Sequence, residues 1–376
     1  MTSSRRIYLD FNASTPIAAE VTTAMREILD SSLFGNPSSD HWAGRPAHEA
    51  VEKARTRVAT LLGCVPDEVV FTSGGSEANN QALKGTFFAS RHGHPHIITT
   101  QVEHPAILSP CRFLERLGAQ VTLLPVDSFG RVDPDDVRRA VKPETILVSV
   151  MHANNEVGTI QPIAEISRVA LELGIPFHTD AAQSIGKIRT NVGELGVDLL
   201  SVAGHKLYGP KGVGALYIRT GLQLEPLIHG AGHEAGRRAG TENVLLDVGL
   251  GAACELAESW IGMEAIQNLR DQFWNRLTSE FGNGVLLNGH PTERLPNTLN
   301  VSFPGRVGVD ILHLLPGVAA STGSACHSGS VHLSPVLRAM RIPAETGMGA
   351  IRFSLGRSTT EDEVTAVVER LKEVLA

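Results

Sequence analysis

Lys206 stands in Ala203-Gly204-His205-Lys206-Leu207-Tyr208-Gly209, a run of small residues that follows a β-rich stretch. An amine half-enclosed in such a turn has its pKa lowered and can form a Schiff base with an aldehyde. The same position also reads as a surface lysine. Asp180, in His178-Thr179-Asp180-Ala181-Ala182-Gln183, puts a carboxylate at the end of an apolar run. That is costly unless a cation or several donors meet it, although a helix N-cap accounts for it as well. Ser73-Gly74-Gly75-Ser76-Glu77-Ala78-Asn79-Asn80 lies between a strand pattern and a helix pattern, where free N–H groups and small side chains would face an anion. It is either a phosphate cradle or a plain strand-to-helix turn; it is neither a P-loop nor a G-x-G-x-x-G fingerprint.

Two further residues carry possible chemistry. Cys326 lies in Ser321-Thr322-Gly323-Ser324-Ala325-Cys326-His327-Ser328-Gly329-Ser330, with nothing apolar enough to seal the thiol away. That makes it the candidate nucleophile, or else an incidental loop cysteine, whereas Cys64, Cys111 and Cys254 sit in apolar helical contexts and read as core. Arg352, within Ile351-Arg352-Phe353-Ser354-Leu355, either turns its fork on a carboxylate in a cavity or makes an edge-strand ion pair. His92, His94 and His96 alternate, but Gly93 and Pro95 read as loop and no other ligand type stands near, so no metal is expected.

These residues need a scaffold that brings their turns together. From about residue 50 to 220, β-rich runs alternate with amphipathic helical stretches, which predicts an α/β domain with a largely parallel sheet. The expected strands are Val69–Thr72, His96–Thr100, Val121–Leu124, Ile146–Val150, Pro176–Thr179, Leu199–Ala203 and Gly214–Ile218. Several end in the polar turns named above, together with Glu103-His104 and Asn154-Asn155. In open α/β sheets ligands collect at the carboxyl ends of strands, so the turns are expected to share one crevice. Beyond about residue 250 the pattern is that of a smaller α+β unit. Ile266, Leu269, Phe273 and Leu277 repeat at helical spacing, Asn297–Phe303 and Ile351–Leu355 read as strands, and a last helix opens on Thr360-x-x-Glu363, a capping box. His229–Thr241 is a long irregular loop of the functional kind.

At 376 residues the chain is long enough for two domains. A formal charge of −7 removes the global attraction on which non-specific nucleic-acid binding depends. No run approaches the ~18 apolar residues of a membrane span, and the start has no apolar leader, so no membrane partner and a cytoplasmic location are expected. Four scattered cysteines without a C-x-x-C pair fit neither a disulfide framework nor a zinc site.

An anion cradle, an Asp, a Lys and an Arg at strand ends are the parts that pyridoxal phosphate requires. The sequence resembles the cysteine desulfurases and selenocysteine lyases of the fold-type I, class V aminotransferase superfamily. The likeness runs from Tyr8-Leu9-Asp10-Phe11-Asn12-Ala13-Ser14-Thr15-Pro16 to Leu355-Gly356-Arg357-Ser358-Thr359-Thr360. Between them lie Gly35-Asn36-Pro37-Ser38-Ser39, Phe71-Thr72-Ser73-Gly74-Gly75-Ser76-Glu77, Ala153-Asn154-Asn155-Glu156-Val157-Gly158, His178-Thr179-Asp180-Ala181-Ala182-Gln183 and Gly240-Thr241-Glu242-Asn243. The resemblance implies a pyridoxal-phosphate transferase fold. Residues 14–255 would form a large domain with a seven-stranded, mostly parallel sheet, and 1–13 with 256–376 a small α+β domain bearing the Cys326 loop.

It also implies roles. Lys206 would hold the cofactor and, once freed, remove the substrate's α-proton. Asp180 would face the ring nitrogen, Gln183 the phenolic oxygen, and His104 would stack on the ring and shuttle protons. Gly75, Ser76 and His205 would hold the phosphate, with Thr241 of the other subunit of a homodimer. Asn155 and Arg352 would bind the substrate carboxylate, and Cys326 would take the sulfur of L-cysteine as a persulfide bound for a protein acceptor. Ala203 and Ala235 depart from the usual desulfurase pattern, and several stretches sit closer to selenocysteine lyases, which makes selenium release from L-selenocysteine the alternative activity.

Overall fold

The structure, a computed structural model, describes residues 6–31, 33–259, 263–322 and 332–375. Its strands are β1 (Ile7–Tyr8), β2 (Val69–Thr72), β3 (His96–Thr100), β4 (Gln120–Leu124), β5 (Thr145–Ser149), β6 (Phe177–Asp180), β7 (Leu199–Ala203), β8 (Gly214–Ile218), β9 (Leu286–Asn288), β10 (Thr298–Ser302), β11 (Val318–Ala319) and β12 (Ala350–Ser354). Seven of them form one sheet in the order β2-β8-β7-β6-β5-β3-β4. Only β8 runs against its neighbours, pairing antiparallel with both β2 and β7. The remaining pairs are parallel, as the alternating pattern predicts.

Most of these strands are apolar and buried along their whole length because helices cover both faces of the sheet. Three start or stop one residue away from the sequence expectation, β4 among them in beginning at Gln120. β5 covers 145–149, and β6 covers 177–180. The β6 shift matters, because it makes Asp180 the last residue of its strand, held by the ladder.

β10 joins β9 and β12 in an antiparallel sheet of three. Against it pack Phe273 and Leu277 of the helix Glu264–Phe281 and Val364, Val367 and Leu371 of the last helix, Glu361–Leu375. Phe273 and Leu277 are among the residues whose helical spacing predicts a core face. The Thr360 amide donates to Glu363 at 3.0 Å and the Glu363 amide to Thr360 Oγ1 at 3.3 Å, which is the capping box. The strand β1 pairs parallel with β11, so Ile7 and Leu9 pack into this second core.

Candidate functional site

The loops at the carboxyl ends of the parallel strands enclose a cavity of about 510 Å³. Gly75, Ser76, His104, Asn155, Asp180, Gln183, His205 and Lys206 all line it. Residues scattered over more than a hundred positions meet there because every turn that carries one leaves the same edge of the sheet.

Lys206 ends a short turn, Gly204–Lys206, directly after β7. The turn is strapped from outside by the N-terminal segment: the Thr15 amide donates to the His205 carbonyl at 2.9 Å, and the Tyr208 amide to Thr15 Oγ1 at 2.8 Å. Tyr208 takes a left-handed backbone, φ 64°, which reverses the chain just past the lysine. Lys206 Nζ donates to the Asn12 carbonyl at 2.5 Å. Burial, reinforced by Arg352 and opposed by Asp180 and Asp10, lowers its pKa to about 8. About a tenth of such an amine is free base at pH 7, far more than of an ordinary lysine, so a usable fraction can act as nucleophile and base near neutral pH.

Asp180 receives two donors, Asn79 Nδ2 at 2.7 Å on one oxygen and the Ala182 amide at 2.9 Å on the other. They offset much of the cost of a carboxylate at a strand end. The helix Gly75–Ala89 opens behind Gly74, which has φ 145° and gives no side-chain cap, so first-turn N–H groups stay open toward the cavity. A Cβ on Gly75 would stand 3.1 Å from the Ala203 methyl, so the cradle is tight against β7. Glu77 closes its outer side by accepting from the Ser73 amide and pairing with Arg238 at 2.9 Å.

His104 caps the helix Pro105–Glu115, its Nδ1 accepting from the Ala106 amide at 3.1 Å. Burial holds its imidazole below the usual range, Asp180 pulling against that and Lys206 with it. His205 is lowered to about 4 by burial and by Lys206 and Lys211, so it serves as a neutral hydrogen-bonding group.

Two expected residues stand outside this lining. Arg352 sits outside the cavity lining, with Nη2 on Asp10 Oδ1 at 2.6 Å and Nη1 on the Asn155 carbonyl at 2.8 Å. Thr241 lines a neighbouring hollow with Ser73, Gly212 and Arg238. Cys326 lies outside the described residues. Cys111 and Cys254 are buried and Cys64 is half-buried, and burial raises the thiols of Cys64 and Cys111 to about 12, as inert core cysteines require. His96 is enclosed between Thr145 Oγ1 and Thr122 Oγ1, each at 2.8 Å, which makes it a core hydrogen-bonding residue.

The aminotransferase class-V family model matches residues 7–367. The chain belongs to that family. It is 51% identical over 375 residues to the cysteine desulfurase IscS of Dictyoglomus turgidum, covering 99% of this chain and 95% of the relative. It is 47% identical to the cysteine desulfurase IscS of Methanosarcina thermophila, covering 100% and 93%. Among solved structures it superposes on a NifS-like protein with a TM-score of 0.91 at 38% identity, covering 98% and 99% of the two chains. On SspA in complex with cysteine the TM-score is 0.83 at 38% identity, covering 93% and 98%. Among the described residues no helix is long and apolar enough to cross a membrane.

Sequence reasoning assigned no role to Asn12, Thr15, Asn79 and Lys187. Asn12 and Thr15 lie inside a motif that marks the family, and Asn79 inside the cradle motif. Lys187 carries no local signal at all.

Proposed function

We propose that the cavity holds pyridoxal 5′-phosphate and that the chain is a cysteine desulfurase, converting L-cysteine to L-alanine with transfer of sulfur to Cys326. One observation carries the reading. A buried, weakly basic amine, a doubly bonded carboxylate and an uncapped helix N-terminus face one cavity, a donor set that fits an aldehyde, a pyridine nitrogen and a phosphate. The relatives' names support the desulfurase reading over selenocysteine release. Residues 14–255 would hold the cofactor, and 1–13 with 256–376 would carry the Cys326 loop.

Lys206 would bind the cofactor, Asp180 and Gln183 its ring, and Gly75, Ser76 and His205 its phosphate, joined by Thr241 of the second subunit of a homodimer. When bound, the cofactor supplies an electron sink for charge developing at the substrate's α-carbon. The protein supplies the rest. Asn155 and Arg352 orient the substrate through its carboxylate. Lys206 Nζ takes the α-proton, which its lowered pKa permits near neutral pH. His104 moves protons at the substrate. The Cys326 thiolate forms a bond to the substrate sulfur as the carbon–sulfur bond breaks, and a proton added at the substrate's β-carbon completes alanine. The products, alanine and a persulfide on Cys326, balance one cysteine and one thiol. The persulfide is then passed to a protein acceptor in the cytoplasm.

The test is alanine formation from L-cysteine by the purified protein loaded with pyridoxal 5′-phosphate. Lys206→Ala is expected to lose at least about a hundredfold of this activity. Cys326→Ala is expected to stop sulfur transfer from cysteine. A wild type that makes no alanine, or a Cys326→Ala variant that makes it at an unchanged rate, overturns the reading.

A further inference from the structure

Lys187 is a buried lysine, 5% exposed, four residues beyond Gln183. Its Nζ donates to Asn12 Oδ1 at 3.0 Å and to Gln183 Oε1 at 3.1 Å, so both acceptors are neutral amide oxygens. Asn12 also meets Lys206. The Asn12 carbonyl accepts from Lys206 Nζ at 2.5 Å and from Gln183 Nε2 at 2.9 Å. Asn297 Nδ2 completes the cluster with a 3.0 Å bond to Asn12 Oδ1.

The orientation of a carboxamide follows from what faces its two ends. At Gln183 one end meets an amine, which donates, and the other meets a carbonyl, which accepts. Reversing the amide would set its oxygen against the Asn12 carbonyl with no proton between them. Burial, with Lys206 and Arg352 near, holds the Lys187 amine well below lysine's usual range. An amine without its extra proton still keeps two N–H donors for the two oxygens. The Gln183 amide spends one N–H on Asn12 and keeps a second, and Gln183 lines the cavity.

We infer that Lys187 is a positioning residue that locks the Gln183 amide with its N–H end toward the cavity, so that the ligand must present an acceptor oxygen there. The inference rests on the cofactor reading above only for the identity of that oxygen, the phenolic oxygen of pyridoxal 5′-phosphate. It makes a buried lysine outside the reacting atoms part of how the site selects its cofactor.

Equilibrium dialysis of cofactor-free protein against pyridoxal 5′-phosphate tests it, using the wild type, Lys187→Met, Gln183→Ala and the double variant. Lys187→Met is expected to bind about tenfold more weakly, the scale of one buried hydrogen bond. In the Gln183→Ala background the further loss is expected to shrink below about twofold. Lys187→Gln keeps an N–H toward Gln183 and is expected to recover most of the affinity. A lysine that only filled space would cost the same in both backgrounds, and additive losses overturn the inference, as does an unchanged affinity of Lys187→Met. Gln183→Glu keeps the side chain's shape and its bond to Lys187 while offering oxygen alone. It is expected to bind at least about tenfold more weakly, and wild-type affinity in that variant overturns the inference even if Lys187→Met fails to fold. A wild type that binds no pyridoxal 5′-phosphate overturns the cofactor reading itself, an outcome distinct from binding with additive losses.

Discussion

Arg352 Nη2 donates to Asp10 Oδ1 at 2.6 Å, an ion pair between β12 and the segment just after β1. Nη1 is spent on the Asn155 carbonyl, and Nε is buried without a partner among the described residues. The guanidinium is therefore held in place, and a substrate carboxylate must share it with Asp10. A planar fork can serve two acceptors at once, whereas an ammonium is a point charge. Arg352→Lys is accordingly expected to raise KM for L-cysteine about tenfold or more with a smaller change in kcat. Asp10→Asn, which keeps an acceptor but removes the competing charge, should move KM downward. Steady-state alanine formation reads both, and an unchanged KM in Arg352→Lys removes this arginine from substrate binding.

The Lys206 amine provides a pH test. Its pKa of about 8 means that half of it is free base near pH 8, where an ordinary lysine is almost wholly charged. Labelling of Lys206 in cofactor-free protein by an amine-reactive reagent, followed by peptide mass spectrometry, should reach half its limiting rate near pH 8. Arg352→Met removes a nearby positive charge and should move that midpoint upward. Because folding depresses this pKa, the group's contribution to stability is present above the unfolded value and is lost as pH falls toward about 8. A midpoint near 10 in the wild type would contradict the burial argument.

The scaffold was legible because the seven strands of the large sheet are short buried runs that end in turns, and such turns carry Lys206, Asp180 and the Gly74-Gly75 cradle. Where the reading slipped, it slipped by a residue at a strand end, as at Phe177–Asp180, because hydrogen-bond ladders and not side-chain types set those limits. What stayed hidden acts at long range. Asn12 meets Lys206 across 194 positions, Arg55 meets Glu234 across 179 and Asp10 meets Arg352 across 342. No periodicity encodes such pairings. Lys187 reads as an ordinary charged residue until the fold buries it.

Glu103, next to His104 in sequence, has one oxygen accepting from Thr100 Oγ1 at 2.8 Å and the Met151 amide at 3.0 Å, and the other buried without a partner among the described residues. Burial raises its pKa to about 8. The fold thus favours the protonated acid. The sign follows: the stabilisation is fully present below the unfolded value, near 4.5, and is lost as pH rises through about 8. Glu103→Gln, neutral at every pH and of the same shape, should flatten the alkaline side of the melting-temperature curve and gain on the order of 1–3 kcal/mol over the wild type at pH 9. Thermal melts from pH 5 to 9 check it; parallel curves would mean that Glu103 is ionised throughout.

Arg55 and Glu234 form a two-point buried pair, Nη1 to Oε2 at 2.6 Å and Nη2 to Oε1 at 2.9 Å, and Oε2 also accepts from the Phe71 amide at 2.9 Å. The pair clamps the loop His229–Thr241 onto β2 and offsets the left-handed backbone at Glu234 and Ala235, φ 50° and 54°. Breaking a buried pair leaves a charge stranded, at a cost of about 3–5 kcal/mol, and Glu52, 3.0 Å from Arg55 Nε, recovers part of it. Glu234→Gln is therefore expected to destabilise the protein by about 2–3 kcal/mol and to speed trypsin cleavage after Arg237 and Arg238 in the loosened loop. Ala235→Gly should act in the opposite direction by about 1 kcal/mol, since glycine adopts the left-handed conformation at little cost. Melting temperature and the cleavage rate at those two arginines measure both effects, and a Glu234→Gln variant that matches the wild type in each would show that the loop is held by other contacts.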